Sequence, residues 1–198
     1  QMREDPLIPQ LPKAGKIKSV KTLDTWGAKE YTLSNGVKVV VKPTDFKANE
    51  IVFEAQAKGN AGSTLDQALA SSIKYAPIAI GNMSLNDYSN SDIRKYLQGK
   101  QAGVSFSFDD YTRSMEGNAT PKDLPTLMEM IYSYFTGFGL REDEFNAARD
   151  GLAAQLANQE SVPNFIFSKN LISSLYSAPS KQMISVSDLK AADRCLLY

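Results

Sequence analysis

Alternation of apolar and polar residues predicts five β-strands in the first 119 residues. The segment KEYTLSNGVKVVVKP carries Asn35-Gly36 between two alternating runs. Gly tolerates positive φ, so this dipeptide predicts a tight β-hairpin. The segment NEIVFEAQAKG predicts a third strand with four apolar side chains on one side: Ile51, Phe53, Ala55 and Ala57. The segment AGVSFSFDDYTRSMEGNA predicts a second hairpin that turns at Asp109-Asp110.

Apolar residues at steps of three and four predict helices between and after these strands. The segment 63–82 is predicted as a helix that Ser63 or Thr64 caps and that Pro77 kinks or ends early. Its apolar face comprises Leu65, Leu69, Ile73, Ala76 and Ile80. A short helix over 90–98 is expected to begin at Ser91 and to stop at Gly99.

The second half of the chain is predicted to be helical. One helix is expected to begin with Thr120 as cap and Pro121 in its first turn, and its apolar stripe comprises Leu124, Leu127, Met128, Ile131 and Phe135. The segment REDEFNAARDGLAAQLANQ predicts a helix whose inward side comprises Phe145, Ala148, Leu152 and Leu156. The acidic residues at its start suit the positive end of the helix dipole, which is a simpler explanation than catalysis; they are Glu142, Asp143 and Glu144.

This order of elements predicts an α+β fold, in which helices cover one face of an antiparallel sheet in two layers. Three prolines and four lysines with few apolar residues predict a linker over residues 1–25. Its basic run either contacts an acidic partner or is solvated. Residues 26–198 are then expected to form a single α+β domain, which is truncated at its C-terminus because the chain ends on apolar residues.

Composition limits the chemistry available to this chain. Its 198 residues hold 22 basic and 22 acidic side chains, so nothing favours nucleic acid as a partner. It has no histidine and one cysteine, Cys195, which excludes a Ser-His-Asp triad, a Cys-His pair and an imidazole zinc site. Cys195 is predicted to be a small apolar residue without a base to activate it. No EF-hand or P-loop motif is present, although carboxylates alone could bind calcium or magnesium.

The ordered set of segments from about Tyr31 to about Asn158 resembles one half-unit of the pitrilysin/insulinase zinc peptidases, the inverzincins. YTLSNGVKVVVKP is similar to the opening hairpin of that family. AKGNAGSTLDQALASSIKYAPIAIGN is similar to its strand, loop and first helix. TPKDLPTLMEMIYSYFTGFGLREDEFNAARDGLAAQL is similar to its two later helices. The resemblance implies an inverzincin-like half-unit.

Catalytic members of that family carry H-x-x-E-H on the first helix and a glutamate ligand on a later helix. The resemblance places the motif positions at Ser72, Tyr75 and Ala76, and the third-ligand region at Ala154 and Gln155. None of these side chains is a zinc ligand of the expected kind, and Tyr75 cannot replace a carboxylate base near neutral pH. The resemblance therefore implies a half-unit without catalytic residues, metal ligands or a cofactor of its own.

Members of the family are often built from two homologous halves, one of which binds zinc. The resemblance therefore implies a non-catalytic, substrate-enclosing domain of a zinc metallopeptidase that acts on peptides. Its expected partners are a catalytic half, on the same chain or on a partner subunit, and an unfolded peptide substrate. Neither nucleic acid nor a membrane span is expected. The resemblance to bacterial envelope members favours the periplasm.

Two other functions stay open at this point. The first is an assembly subunit of the same fold without a peptidase role, like the core proteins of respiratory complexes. The second is an unrelated α+β enzyme that uses carboxylates, for instance Asp109 and Asp110. Adjacent aspartates at a hairpin tip usually serve the turn itself.

Overall fold

The computed structural model describes residues 5–59, 66–109, 111–139 and 141–192. It divides into two compact units, residues 8–50 and residues 1–7 with 51–198. The smaller unit contains three strands, β1 (Ile17–Leu23), β2 (Ala28–Leu33) and β3 (Lys38–Val41). A short 3₁₀ helix, Asp24–Trp26, connects β1 to β2. The strands form an antiparallel sheet in the order β1-β2-β3.

The predicted hairpin at Asn35-Gly36 is confirmed. Gly36 has φ of +88°, and strands β2 and β3 pair through Tyr31 and Val39. The predicted linker over 1–25 is wrong for residues 17–23, because they form strand β1 on the outer side of this hairpin. Residues 5–7 are also anchored, since Leu7 is 1% exposed in a hydrophobic cluster of the larger unit. Residues 17–23 are ordered by backbone pairing, and residues 5–7 by burial of Leu7. Neither interaction can be read from amino-acid composition.

The larger unit contains a second antiparallel sheet and all six α-helices of the described residues. Its strands are β4 (Ile51–Lys58), β6 (Ala102–Phe108) and β7 (Thr112–Ala119), in the order β4-β7-β6, and a short pair joins β5 (Ser84–Leu85) to β8 (Phe138–Gly139). The helices are α1 (Gln67–Ile80), α2 (Asn90–Tyr96), α3 (Leu124–Thr136), α4 (Glu142–Gln159), α5 (Pro163–Leu175) and α6 (Val186–Ala191). The predicted α+β class with antiparallel strands and covering helices is confirmed.

Helix starts differ from the predicted ones, and in α1 and α2 the reason is that other side chains bind the free N–H groups. Asp66 caps α1 by accepting a hydrogen bond from Leu69 N at 2.7 Å, whereas Ser63 and Thr64 lie outside the described residues. Ser89, rather than Ser91, caps α2. Helix α3 begins at Leu124, not at Pro121, because residues 121–123 form a turn.

The carboxylate of Asp123 closes the turn before α3. It accepts hydrogen bonds from Thr120 Oγ1 at 2.9 Å and from Gln101 N at 2.8 Å. The Gln101 backbone bond is the main cause that lowers the pKa of Asp123, and the Thr120 hydroxyl adds to it. The predicted cap, Thr120, therefore stabilises the turn and not the first turn of the helix.

The buried faces of α1 and α3 are rotated from the predicted stripes. The buried residues of α1 are mostly small ones, Ala70, Ser71, Ser72, Tyr75, Ala76 and Ala79, whereas Leu69 is 37% exposed. On α3 the buried residues are Thr126, Leu127, Met130 and Ser133, and Phe135 is 76% exposed. Small side chains let α1 approach α6 and β6 closely, so they are buried in place of larger ones.

Helix α1 also continues through Pro77 to Ile80, so the predicted early end at this proline is wrong. A proline inside a helix costs about 3 kcal/mol. Burial of Tyr75, Ala76 and Ala79 around it offsets that cost. The predicted inward side of α4 is confirmed, with Phe145 and Leu156 buried in the same cluster as Tyr75.

Candidate functional site

The positions that the resemblance aligns with the zinc motif lie in the buried core of α1. Ser72 and Tyr75 are 0% exposed, and Ala76 is 5% exposed. Tyr75 belongs to a hydrophobic cluster with Phe145, Leu156 and Leu189. A catalytic zinc site keeps one position open for water or substrate, and these positions are closed by packing.

Tyr75 is held by both its ring and its hydroxyl. The ring packs edge-on against Phe145, with centroids 5.2 Å apart, and the hydroxyl donates to Phe145 O at 3.1 Å. Burial raises the pKa of Tyr75 to about 12. The charge of Asp150 adds to this increase, and the charge of Arg149 opposes it. The phenol therefore stays neutral near pH 7 and can serve neither as a base nor as an anionic ligand.

The predicted third-ligand region does not join this cluster. Ala154 and Gln155 are both exposed on α4, whereas Leu156 is buried beside Tyr75. Across the described residues, no group of three or more Asp, Glu, Cys or His side chains is placed to hold a metal ion. The residues at the aligned positions therefore do not fit zinc, and the alignment with the motif itself stays a prediction.

Helix α1 also carries a buried ion pair that the sequence analysis missed. Lys74 Nζ lies 2.7 Å from Asp188 Oδ2, and the side chains are 8% and 4% exposed. Ser71 Oγ donates to Asp188 Oδ1 at 2.9 Å. Ser185 Oγ caps α6 by accepting from Asp188 N, and the Asp188 carboxylate accepts in turn from Ser185 N at 2.8 Å. Burial raises the pKa of Asp188, but the hydrogen bonds from Lys74 and Ser185 and the Lys74 charge outweigh it and lower the pKa overall.

The signal for this cluster was present in the sequence as the spacing Ser185-x-x-Asp188, a capping box at the start of a short helix. A cleft of about 680 Å³ opens beside the ion pair. It is lined by a second lysine and several hydroxyl and amide side chains, namely Lys169, Ser173, Ser177, Gln182, Ser185 and Ser187. Because Asp188 already neutralises Lys74 at 2.7 Å, the pair holds α6 on α1 and does not present a free charge to the cleft.

The β4-β7-β6 sheet has two different faces. Its register aligns Phe53 with Gly117 and Val104 on the helix-covered face. The next positions, on the opposite face, are Glu54, Glu116 and Ser105, and all three are exposed. We call this opposite side the open face, comprising Val52, Glu54, Gly103, Ser105, Glu116 and Asn118.

A shallow trough of about 630 Å³ lies against this sheet and is lined by all six residues of the open face. Gly103 forms part of its floor. A Cβ at that glycine would meet only Asn118 Oδ1, at 3.6 Å, so a side chain at residue 103 would project into the open trough. Within the described residues, β4 and β6 each pair with β7 alone, which leaves both edges of this sheet without a further strand. The face can therefore accept an extended chain against its surface or at an edge.

Two of the acidic side chains that the sequence singled out, Glu144 and Asp109, accept hydrogen bonds from backbone N–H groups. Glu144 accepts hydrogen bonds from Ser84 N at 2.9 Å and Asn90 N at 3.0 Å, so it ties the start of α4 to α2. Asp109 accepts from Tyr111 N and Thr112 N, both at 2.7 Å. The Tyr111 bond is the main cause that lowers the pKa of Asp109. The turn explanation is thus confirmed for Asp109, and Asp110 and Cys195 lie outside the described residues.

Searches by sequence and by structure gave different results. No known protein family matches the chain, and no curated protein matches it. Solved structures do match. The periplasmic protease PqqL from Escherichia coli aligns with a TM-score of 0.72 at 15% identity, over 98% of this chain and 21% of that one. A mutant of the ferredoxin protease FusC, solved in complex with Arabidopsis ferredoxin, aligns with a TM-score of 0.64 at 20% identity, over 100% and 22%.

A protease from Helicobacter pylori aligns with a TM-score of 0.63 at 16% identity, over 82% of this chain and 40% of that one. The chain spans about a fifth of the length of the first two proteases and two fifths of the third. At these identities the likeness concerns backbone architecture. The fold of this chain is therefore one that also occurs in proteases, and it accounts for only part of each.

Proposed function

We propose that this chain is a non-catalytic domain of a pitrilysin-type zinc peptidase and forms one wall of the chamber that encloses peptide substrates. The zinc and its ligands then belong to a catalytic half, on the same longer chain or on a partner subunit. The fold shared with three proteases supports the peptidase context. One of these proteases is described as periplasmic, which supports the periplasm as the compartment.

The closed packing at Ser72, Tyr75 and Ala76 carries the non-catalytic part of the proposal. These positions are buried, and the Tyr75 hydroxyl is bonded to Phe145 O. A metal centre there would require three strong ligands and space for a water molecule. Neither the residue types nor the packing provides them, so this half-unit supplies shape rather than chemistry.

The open face supports the substrate-enclosing part of the proposal. It is mostly polar, it contains the trough over Gly103, and the edges of its sheet lack a further strand among the described residues. A peptide substrate can bind by adding backbone hydrogen bonds to such an edge while its side chains lie along the trough.

Among the described residues, none of the helices combines the length and the apolar composition of a membrane span.

The assembly role of the same fold is the second candidate. Helix α5 has no buried residue, and its exposed apolar side chains include Ile166, Phe167, Leu171 and Leu175. Such a face suits permanent packing against another protein layer. An assembly subunit needs this apolar helix but does not need the trough, so a peptide-binding assay separates the two roles.

The direct test measures zinc binding, peptide cleavage and peptide binding on the purified chain. We expect no stoichiometric zinc in isothermal titration and no cleavage of a fluorogenic peptide. We expect weak binding of labelled unfolded peptides in fluorescence anisotropy. Tight one-to-one zinc binding would contradict the non-catalytic assignment, and the absence of any peptide binding would favour the assembly role.

A pair of glycine variants locates the peptide. Gly103→Trp fills the trough, and its Cβ makes only an ordinary contact with Asn118 Oδ1. Gly151→Trp adds the same side chain on α4, where nothing lies within 4 Å. We expect Gly103→Trp to abolish peptide binding and Gly151→Trp to preserve it. Equal binding by both variants would show that the peptide does not use the open face.

A further inference from the structure

The smaller unit, residues 8–50, has a positive net charge, although the net charge of the whole chain is zero. It holds eight lysines and four carboxylates, whereas the whole chain has 22 of each sign. Three of these lysines lie on or next to β1, namely Lys16, Lys18 and Lys21, and all three are exposed. The structure therefore places part of the basic run on an ordered strand.

The sheet of this unit has one mostly polar face and one mostly apolar face. Residues paired across the strands share a face of the sheet. The mostly polar face has two such rows, which are Lys21, Glu30 and Val40 in one and Ser19, Thr32 and Lys38 in the other. The opposite face carries Val20, Tyr31 and Val39 in one row, and Val20 is 54% exposed. Lys29 and Val41 also lie on this apolar face. Positive charge is thus distributed over both faces and does not form one flat basic surface.

Strand β1 is an edge strand. It has seven residues and, within the described part of the chain, pairs with β2 alone. Its register shifts between Ile17 and Ser19, which makes Lys18 the extra residue of a bulge. The other edge, β3, has only four residues. Between the two edges, β1 therefore offers the longer row of backbone groups.

Charge decides which strand β1 can accept. A second copy of β1 would bring lysines against lysines, and like charges on neighbouring strands oppose pairing. An acidic strand would instead place its carboxylates beside Lys16, Lys18 and Lys21. A membrane surface or a nucleic acid duplex requires cations gathered on one side, which this two-faced sheet does not offer.

We propose that β1 is a docking strand for an acidic polypeptide segment in extended conformation, which adds to the sheet as a fourth strand beside Lys16, Lys18 and Lys21. Backbone hydrogen bonds supply the pairing, and the lysines select the charge of the partner. This proposal is independent of the peptidase role, because it concerns only residues 8–50.

Fluorescence anisotropy with a labelled peptide of alternating Glu and Thr tests the proposal on the full chain. We expect binding that weakens as salt is added, because the lysines are exposed and screened. The variant K16E/K18E/K21E should bind about tenfold more weakly, from three surface charge pairs. The control K95E/K122E/K190E makes the same change of net charge at exposed lysines of the larger unit and should bind like the unmodified chain.

Two further probes separate strand addition from simple charge attraction. A Glu-Thr peptide that is N-methylated at every residue lacks the backbone N–H donors of a paired strand and should not bind. Amides of β1 should gain protection from hydrogen exchange when the Glu-Thr peptide is present, which also shows that the chain is folded. Equal loss in both lysine variants or equal binding of the N-methylated peptide would overturn the proposal. Stronger lysine-dependent binding to anionic vesicles or duplex DNA would also overturn it.

Discussion

Lys74 and Asp188 form a buried ion pair, 2.7 Å between Nζ and Oδ2, that joins the middle of α1 to the last described helix, α6. These residues are 114 positions apart, and no local pattern connects them. Ser71 completes the cluster by donating to the other carboxylate oxygen. The pair lies on the helix where the sequence resemblance predicts the metal-binding motif of the family, and that alignment stays a prediction. This internal ion pair fastens α1 to α6.

Breaking the ion pair from one side should destabilise the chain strongly. In Asp188→Ala, Lys74 stays buried without its counter-charge, and we expect a loss of about 3 kcal/mol in the free energy of unfolding. Urea denaturation followed by circular dichroism measures this loss. The control is Lys169→Met, which breaks the more exposed pair with Glu160. That variant should lose less than about 1 kcal/mol, and equal losses would show that burial of the Lys74 pair has no energetic consequence.

Acid should remove the contribution of Asp188. Its pKa in the folded chain lies below the ordinary value of 3.8. The carboxylate therefore stabilises the fold at pH values above 3.8, and this stabilisation is lost as pH falls through the lower folded pKa. The unfolding free energy of the unmodified chain should exceed that of Asp188→Asn at pH 7, and this difference should shrink as the pH is lowered. A gap between the two that stays constant below pH 3.8 would contradict the assigned pKa direction.

Alkali should act through Tyr75. Its folded pKa is about 12, against an ordinary value of 10.0. The unfolded chain releases this proton first, so stability is complete below pH 10 and is lost as pH rises towards 12. Phenolate absorbance should show a late-titrating tyrosine that is absent in Tyr75→Phe. The same variant should cost about 1 kcal/mol at neutral pH, because it removes one buried hydrogen bond.

Two phenylalanines test which faces of the helices are covered. Phe145 is 3% exposed and packs against Tyr75, so Phe145→Ala should cost about 3 to 5 kcal/mol. Phe135 lies in the apolar stripe predicted for α3 but is 76% exposed, so Phe135→Ala should change stability by less than about 0.5 kcal/mol. Thermal unfolding of both variants measures the contrast. A large loss at Phe135 would indicate that this side of α3 is covered.

Sequence reasoning succeeded where a local pattern has a single local solution. Asn35-Gly36 predicted its hairpin because only a residue tolerant of positive φ suits such a turn. Alternation predicted β6 and β7 because adjacent residues of a strand face opposite sides. The spacing of Phe145 and Leu156 predicted the inward side of α4, where polar residues leave one apolar stripe.

Local patterns did not predict the buried face of a helix that has several apolar stripes. They also did not predict a strand whose sequence is rich in lysine. Helices α1 and α3 each offer more than one apolar stripe, and their neighbours decided which stripe is buried. The basic run was predicted as linker because lysines are common in linkers, but backbone pairing with β2 made residues 17–23 a strand. Propensity is a weak signal that tertiary contacts override.

By itself, the sequence determined the α+β class, the two hairpins, the inward side of α4 and the absence of any imidazole. Each of these depends on the residue types alone or on spacing within one element. Only the tertiary structure decided which residues of α1 are buried, that β1 is an edge strand, and that Lys74 meets Asp188. Such features arise when distant segments come into contact, and the energy of a contact between two segments is not encoded in the periodicity of either one.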